Sequence, residues 1–282
     1  MDLLEQTKEL CRLYDIKPVR SKGQNFLIEE KIYDDIVAAA DLKPEDIVLE
    51  VGPGLGFLTA KLAVKAKKVI AVELDDKLAE VLKTGLAAKG VENVEVVNSD
   101  VLKISLAPLL KGGDYKIVAN LPYNITSIFL RKFLSETENK PKFMVLMLQK
   151  EVAERITAKP GKISLLSVSV QFYAKPEIAQ IVKRENFWPE PEVDSAIVKI
   201  TPLTPLLKGG INMERKFFQL VKFGFSARRK MLKNNLAAGF KISQSGAEDK
   251  IIRAGFNSKV RAQELSVNNW FKLFDEFYQN MV

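Results

Sequence analysis

Residues 47–56 read Ile47-Val48-Leu49-Glu50-Val51-Gly52-Pro53-Gly54-Leu55-Gly56, and they are the strongest indication of the fold in this chain. Its first half is short, apolar and rich in β-branched residues, which predicts a buried strand of a parallel sheet. The glycines that follow let the backbone approach a ligand, and the helix expected after them offers free N–H groups. The pattern is typical of a loop that binds a nucleotide cofactor.

Further apolar runs alternate with helical patterns along the chain. The next predicted strands cover residues 69–74, 94–97, 115–119 and 143–148, and residues 165–174 and 196–200 are interpreted as later strands at an antiparallel edge. This alternation predicts an α/β fold, in which a mostly parallel, Rossmann-like sheet carries helices on both faces. Ligands bind at the carboxyl ends of such strands. Gly52, Glu73, Asp100 and Asn120 all fall at that edge, which makes it the candidate site.

The glycine spacing distinguishes between two classes of cofactor. The chain has Gly52-x-Gly54-x-Gly56 followed by Phe57, whereas dinucleotide-binding enzymes use G-x-G-x-x-G. This departure favours S-adenosylmethionine (SAM) over NAD, and it opposes a dehydrogenase. Glu73 suits the two hydroxyls of a ribose, but NAD enzymes use the same device, so this residue alone does not discriminate. Asp100 suits the amino group of an adenine ring, or it serves as a cap or turn residue.

A second motif, Asn120-Leu121-Pro122-Tyr123, follows the fourth predicted strand. The exocyclic amine of adenine is a poor nucleophile because its lone pair is delocalised into the ring. The Asn120 side-chain oxygen and the Leu121 carbonyl can accept its hydrogens, Pro122 fixes the turn, and Tyr123 can stack on an unpaired base. The alternative is an ordinary turn at the end of a strand. The chain contains no histidine, which excludes acid–base catalysis by that residue.

The excess positive charge lies in the last quarter of the chain. Residues 205–282 carry 14 lysines and arginines against 6 aspartates and glutamates, which accounts for the whole net charge of +8. Such a localised basic region is expected for a protein that binds nucleic acid, or it is a solvated helical surface. A connection rich in proline and glycine precedes it. We therefore predict a catalytic domain at 1–204 and a basic helical domain at 205–282, with helices over 213–236, 248–254 and 266–277.

The remaining composition favours a cytoplasmic protein. Cys11 is the only cysteine, so an intramolecular disulfide is impossible, and we expect this side chain to be a small buried hydrophobe. No apolar run is long enough to span a membrane, and the N-terminus does not resemble a signal peptide. No metal site is expected.

The motifs together resemble those of the KsgA-type rRNA adenine N6,N6-dimethyltransferases, over almost the whole chain. The matching segments are 23–27, 50–56, 72–75, 120–125, 149–155, 187–195, 228–236 and 261–266. The resemblance implies a SAM-dependent methyltransferase domain followed by a small helical domain. The cofactor contacts expected on this basis and from the strand-end pattern are Asn25, Leu27, Gly52, Gly54, Glu73, Asp100 and Asn120.

The resemblance also implies which residues meet the RNA. Phe187 would sandwich the target base opposite Tyr123, although its segment by itself could be a proline-stiffened surface loop. The residues expected to contact RNA phosphates are Lys17, Arg20, Lys22, Arg228, Arg229 and Lys230. The alternative for the last three is a solvated helix face.

The implied substrate is a pair of adjacent adenines near the 3′ end of small-subunit (16S) rRNA, each of which receives two methyl groups in a ribosomal assembly particle. We expect a monomer. The alternatives are a methyltransferase that acts on large-subunit rRNA or DNA, and a non-catalytic assembly or transcription factor. Large-subunit enzymes more often carry Ile at the position of Leu121 and usually lack the pattern of residues 228–236. A non-catalytic protein predicts a damaged tetrad or glycine loop, and both motifs are intact here.

Overall fold

The computed structural model describes residues 2–19, 23–110, 113–203, 210–227 and 229–278. The chain divides into two compact units. The first unit comprises Met1–Ala153 and Pro176–Pro202, and the second comprises Glu154–Lys175 and Leu203–Val282. This division differs from the predicted domains 1–204 and 205–282, because residues 154–175 group with the C-terminal helices. Within the described ranges, no helix is both long and apolar enough to cross a membrane.

Nine strands and twelve α-helices are found in the described part of the chain. The strands are β1 (Phe26–Leu27), β2 (Ile47–Val51), β3 (Lys68–Glu73), β4 (Val94–Asn98), β5 (Lys116–Asn120), β6 (Phe143–Gln149), β7 (Ala174–Val182), β8 (Phe187–Trp188) and β9 (Ser195–Pro202). The helices are α1 (Leu3–Leu13), α2 (Glu30–Ala40), α3 (Phe57–Lys65), α4 (Asp76–Ala88), α5 (Ala107–Leu110), α6 (Thr126–Arg131), α7 (Lys150–Ile156), α8 (Leu165–Gln171), α9 (Gly210–Gly224), α10 (Leu232–Phe240), α11 (Gln244–Arg253) and α12 (Val267–Tyr278). A π-helical turn (Lys132–Glu136) continues α6.

A seven-stranded sheet in the order β4-β3-β2-β5-β6-β9-β7 organises the first unit. Strands β2 to β6 pair in parallel, and β9 pairs antiparallel with β6. The central strands β2, β5 and β6 are mostly apolar and are buried except at their ends, because helices cover both faces of a parallel sheet. The α/β, Rossmann-like class predicted from the sequence is confirmed. The carboxyl ends of β2, β3, β4 and β5 meet at one edge, as the strand order requires.

One predicted strand is wrong. Residues 165–174 are expected from their apolar run to form an edge strand, but Leu165–Gln171 is helix α8. The Ser164 side chain accepts from the Ser167 N–H, and the Ser167 side chain accepts from the Ser164 N–H, so a capping box starts the helix. A short apolar run does not by itself separate a buried strand from a buried helix.

Helices packed around aromatic side chains build the second unit. Phe172 lies against Phe217, Phe218 and Phe271, with ring centroids 4.8, 5.0 and 5.6 Å away. The single helix predicted over 213–236 is also wrong, because α9 ends at Gly224 and α10 starts at Leu232. The buried Asn235 side chain donates to the carbonyl oxygens of Gly224 and Ala227 at 2.7 and 3.0 Å, which provides the end of α9 and the following loop with hydrogen-bond donors.

Candidate active site

A pocket opens at the carboxyl ends of β2, β3, β4 and β5. All seven residues predicted as cofactor contacts line it, namely Asn25, Leu27, Gly52, Gly54, Glu73, Asp100 and Asn120. Pro122 of the tetrad also lines it. The rings of Tyr33 and Phe57 complete part of the wall, and no sequence pattern had pointed to either as a site residue. The structure thus brings the predicted positions together, while their individual contacts to a cofactor stay predictions.

The glycine loop is shaped so that other residues do not fit. Gly52, Gly54 and Gly56 have φ angles of 66°, 59° and 84°, which L-residues with side chains rarely adopt. A Cβ atom at Gly54 would lie 3.3 Å from the Phe26 ring, and one at Gly56 would collide with Leu82 Cδ1. The loop therefore keeps its backbone exposed to the pocket and packs closely on α4 behind it.

Glu73 connects this loop to the next strand. Its Oε2 accepts from the Gly54 N–H at 3.1 Å, and its Oε1 accepts from the Asp75 N–H at 2.9 Å. Burial raises the pKa of this carboxyl group, and the hydrogen bonds from Asp75 and Gly54 oppose that shift. Each carboxylate oxygen can accept a further hydrogen bond, so the predicted contact to ribose hydroxyls is compatible with the observed ones.

Glu50 is a pocket residue for which no role was predicted from sequence. It lies on β2, two positions before Gly52, and is 1% exposed. Among the described residues, its Oε2 has no hydrogen-bond partner. Burial raises its pKa to about 8, the nearby Thr59 hydroxyl opposes this shift, and the negative charge of Glu73 adds to it. A buried carboxyl group with an unpartnered oxygen beside an open pocket fits a cationic ligand group such as the ammonium of a methionine moiety.

Asp100 lies both in the pocket and in a turn. Its Oδ1 accepts from the Leu102 N–H at 2.9 Å, which is the turn role considered from sequence. The same turn is held by Lys132, whose Nζ donates to the carbonyl oxygens of Val101, Leu102 and Ile104 at 3.0, 2.8 and 3.3 Å. No sequence pattern indicated Lys132, because the contact joins two elements about thirty residues apart.

The tetrad leaves the sheet at the same edge. Asn120 ends β5 in register with Met147 of β6, and the Leu121 N–H donates to the Met147 carbonyl at 3.2 Å. The Leu121 side chain is buried, so only its backbone is available for the predicted contact. Tyr123 begins a 3₁₀ turn, and its hydroxyl lies 2.6 Å from that of Ser195. Tyr123 and Leu121 do not line the cofactor pocket itself.

The structure does not bring Phe187 into this pocket. It is 2% exposed and belongs to the hydrophobic core formed with α2 and α3. Its backbone pairs with Leu27, because the short strands β1 and β8 form an antiparallel pair. Stacking of Phe187 on a base stays a prediction, and it requires that this side chain become accessible.

Half of the predicted RNA contacts fall outside the described residues, namely Arg20, Lys22 and Arg228. Lys17, Arg229 and Lys230 are described, and all three are exposed. Arg229 and Lys230 lie in the loop between α9 and α10, so they do not form the solvated helix face considered as an alternative.

Comparison with known proteins identifies the family. The model of the family described as "Ribosomal RNA adenine dimethylase" matches residues 17–279. The ribosomal RNA small subunit methyltransferase A of Dehalococcoides mccartyi strain CBDB1 is 47% identical over 99% of this chain and 94% of its own length. The protein of the same name from Clostridium botulinum strain Kyoto / Type A2 is 38% identical over 96% and 98% of the two chains.

Solved structures agree with this assignment. A dimethyladenosine transferase from Plasmodium falciparum is 29% identical, with a TM-score of 0.76 over 90% of this chain and 98% of that one. The 23S rRNA methyltransferase ErmE is 30% identical, with a TM-score of 0.74 over 89% and 99%. From the family match, the full-length relatives and the intact motifs, we conclude that the chain belongs to the ribosomal RNA adenine dimethylase family.

Proposed function

We propose that this protein transfers methyl groups from SAM to the N6 amines of two adjacent adenines near the 3′ end of small-subunit rRNA, and that each amine receives two. The observation that carries the proposal is the position of Asn120. Its side chain lines the cofactor pocket, and it opens the tetrad Asn120–Tyr123 at the edge of the sheet. A nucleobase held by the tetrad is thereby next to the cofactor.

The tetrad prepares the amine for reaction. The Asn120 side-chain oxygen and the Leu121 carbonyl accept the two hydrogens of N6, which draws the nitrogen lone pair out of the ring. Pro122, with its φ of −55°, fixes the turn that presents the Leu121 carbonyl. Tyr123 stacks on the base, which must be unpaired or flipped out to reach the site. In each transfer the N6 lone pair would form a bond to the methyl carbon, the carbon–sulfur bond would break with its electron pair going to sulfur, S-adenosylhomocysteine would leave, and one N6 proton would pass to solvent water. In the second transfer N6 has one hydrogen left, which one of the two acceptors holds.

The pocket residues hold the methyl donor. SAM supplies a methyl group on a sulfonium sulfur, which is already activated for attack, so the protein contributes alignment and electrostatics. Glu73 accepts hydrogen bonds from the ribose hydroxyls, and Asp100 accepts one from the amino group of the adenine ring. The carboxyl group of Glu50, with its unpartnered oxygen, faces the cationic end of the ligand.

The identity of the RNA rests on the sequence relatives. Proteins named for the small subunit are 38–47% identical over 94–98% of their own length, whereas the large-subunit enzyme ErmE is 30% identical. The similarity in fold does not identify the RNA, because the dimethyladenosine transferase and ErmE have nearly equal TM-scores of 0.76 and 0.74. We further propose that the protein acts as a monomer, in the cytoplasm, on a ribosomal assembly particle.

Methyl transfer from labelled SAM tests the proposal. The acceptors are small subunits from cells that lack this modification, with large subunits and DNA in parallel. We expect N6,N6-dimethyladenosine near the 3′ end of the small-subunit rRNA. Label in the large-subunit rRNA alone would favour the alternative substrate, and tight binding without label would favour an assembly factor.

The variant Asn120→Ala tests the role of the tetrad. Removing one of the two acceptors should reduce methyl transfer at least a hundredfold, the scale seen when a group that stabilises a transition state is deleted. Asn120 is also one of the predicted cofactor contacts, but Glu73, Glu50 and the glycine loop remain, so the affinity for SAM measured by calorimetry should fall by less than about threefold. An unchanged rate would contradict the role of Asn120 in holding the amine.

A further inference from the structure

Tyr123 is tied to a strand that is distant in sequence. Its hydroxyl lies 2.6 Å from the hydroxyl of Ser195, a short distance for this kind of hydrogen bond. Ser195 is fully buried, and Tyr123 is half-buried. The tyrosine is thus fixed at its far end, where the phenol ring would otherwise be free to turn.

Sheet register places Ser195 beside the tetrad. Ser195 begins β9 and pairs with Gln149, the last residue of β6. On the other side of β6, Met147 pairs with Asn120 at the end of β5. Ser195 therefore lies at the same edge of the sheet as the tetrad, two strands away from β5 with β6 between them.

The backbone that leads into Ser195 is itself held. Both carboxylate oxygens of Asp194 accept hydrogen bonds at 3.2 Å, one from the Arg184 N–H and one from Lys183 Nζ. The Asp194 carbonyl accepts from the Lys150 N–H at 2.9 Å. Three bonds to two separate segments fix the residue before Ser195, so its hydroxyl is a rigid point of attachment.

We infer that Ser195 is a positioning residue for Tyr123, and that its hydroxyl holds the tyrosine ring ready to stack on the target adenine beside Asn120. This inference rests on the proposed function. A ring that is already ordered loses no further rotamer freedom when the base arrives, and a misplaced ring would move the amine away from its acceptors. Phe187 is the other residue of the segment 187–195 that is predicted to take part in the site. Ser195 would be a second residue through which this segment contributes to it.

The test compares Ser195→Ala, Tyr123→Phe and the double variant in single-turnover methyl transfer at saturating SAM and RNA. Each single variant should be about five- to tenfold slower, as expected for one hydrogen bond. The double variant should be no slower than either single one, because both remove the same bond. Ser195→Thr should stay within about twofold of the wild type, since it keeps the hydroxyl. Thr84→Ala removes a hydroxyl from an exposed position of α4 that does not line the pocket, and as the control it should leave the rate unchanged.

A spectroscopic measurement reports the contact without the reaction. The chain has six tyrosines, which can be labelled with ¹³C at Cζ, and Tyr123→Phe identifies the resonance of Tyr123. Ser195→Ala should move that resonance and leave the other five in place. Should Ser195→Ala fail to fold, the rate in Tyr123→Phe tests the same bond, because that variant removes the other of the two hydroxyls.

The outcomes separate this inference from the proposed function. If the wild type methylates no RNA, the proposed function falls and the inference falls with it. If the wild type is active and Asn120→Ala is not, an unchanged rate in Ser195→Ala overturns the positioning role alone. Additive losses in the double variant overturn it as well, because they would place the two hydroxyls in separate roles. A Tyr123 resonance that does not move would disprove the contact itself.

Discussion

At the scale of single residues, the strongest departure from ordinary protein chemistry is Glu50. A carboxyl group on a buried strand, with an oxygen that has no partner among the described residues, is costly when charged and therefore holds a proton more firmly. Such a cost is retained where a ligand relieves it. Glu50 would then be fully ionised only when a cationic group occupies the pocket.

The cofactor-free protein should accordingly lose stability with rising pH. The pKa of Glu50 is about 8 when folded and near 4.3 in an unfolded chain. Between these values the folded protein binds a proton that the unfolded chain has released, so the free energy of unfolding decreases as pH rises and levels off above about 8. Glu50→Gln removes this contribution. Its stability relative to the wild type should grow by roughly a few kcal/mol from pH 5 to pH 9 in urea unfolding. A constant difference would contradict the protonated state.

Binding of SAM at pH 7 should release that proton. Calorimetry in two buffers with different ionisation enthalpies should give different binding enthalpies for the wild type and equal ones for Glu50→Gln. Equal enthalpies for the wild type in both buffers would mean that Glu50 does not face the cationic group.

The sequence predicts the positions of site residues best where they depend on local spacing. Gly52, Gly54 and the acids at the strand ends are specified by neighbours in the chain, and they line one pocket, while their contacts to a cofactor stay predictions. The stacking role predicted for Phe187 requires an accessible ring. Its accessibility depends on the pairing of β8 with β1, about 160 positions away. Lys132 contacts carbonyl oxygens about thirty positions away and Ser195 contacts Tyr123 across 72 positions, and no local pattern records either contact.

At the scale of elements, a π-helical turn is joined to the cofactor pocket. The turn Lys132–Glu136 directs Lys132 at three carbonyl oxygens of the segment that follows Asp100. Because one ammonium group satisfies three acceptors, it fixes the turn that follows Asp100 at the wall of the pocket.

Lys132→Met should therefore weaken SAM binding without touching the ligand. The variant keeps most of the aliphatic stem but leaves three carbonyls without their donor, and we expect roughly a tenfold loss of affinity in calorimetry. Lys142→Met is the control, since Lys142 forms an exposed ion pair with Asp114 and should leave the affinity unchanged. Lower thermal stability with an unchanged affinity would limit Lys132 to a role in folding.

Elements were predicted well where periodicity and length agree. The five parallel strands emerged from their apolar runs, whereas the two errors, at 165–174 and 213–236, concern segments in which side chains override the pattern. Ser164 starts a helix that the apolar run alone does not reveal, and Asn235 supplies donors to the end of another. Capping and buried amides act through one or two atoms, so their signal in a sequence is weak.

At the scale of the whole molecule, the positive charge is divided unequally between the two units. The excess of positive charge lies in residues 205–282, within the second unit. Arg229 and Lys230 are exposed there in the loop whose start is held by Asn235. This arrangement suits a polyanion, because a short held loop presents its charges with little loss of freedom.

Replacing Arg229 and Lys230 with Gln should reduce the salt dependence of RNA binding. Removing one phosphate-binding charge lowers the slope of log K against log salt concentration by about 0.7–0.9, so the double variant should differ by roughly 1.5. Lys65→Gln with Lys89→Gln removes the same charge from exposed positions of the first unit and should change the slope less. Equal slopes in the two double variants would make the loop an ordinary charged surface.

The position of β9 between β6 and β7 governs when the enzyme can be completed during its own synthesis. A nascent chain that has emerged as far as Gln149 holds the cofactor loop and the tetrad, but β6 is then an apolar outer strand that is paired on one side only, with β5. Such an edge is a template for mispairing until residues 195–202 arrive. Residues 150–194 must therefore be translated before β9 can cover the edge of β6 and before the Ser195 hydroxyl can bond to that of Tyr123. If a ribosome pauses within residues 150–194, the open edge of β6 stays exposed on the nascent chain. We therefore expect this interval to be the one in which the chain depends most on folding factors.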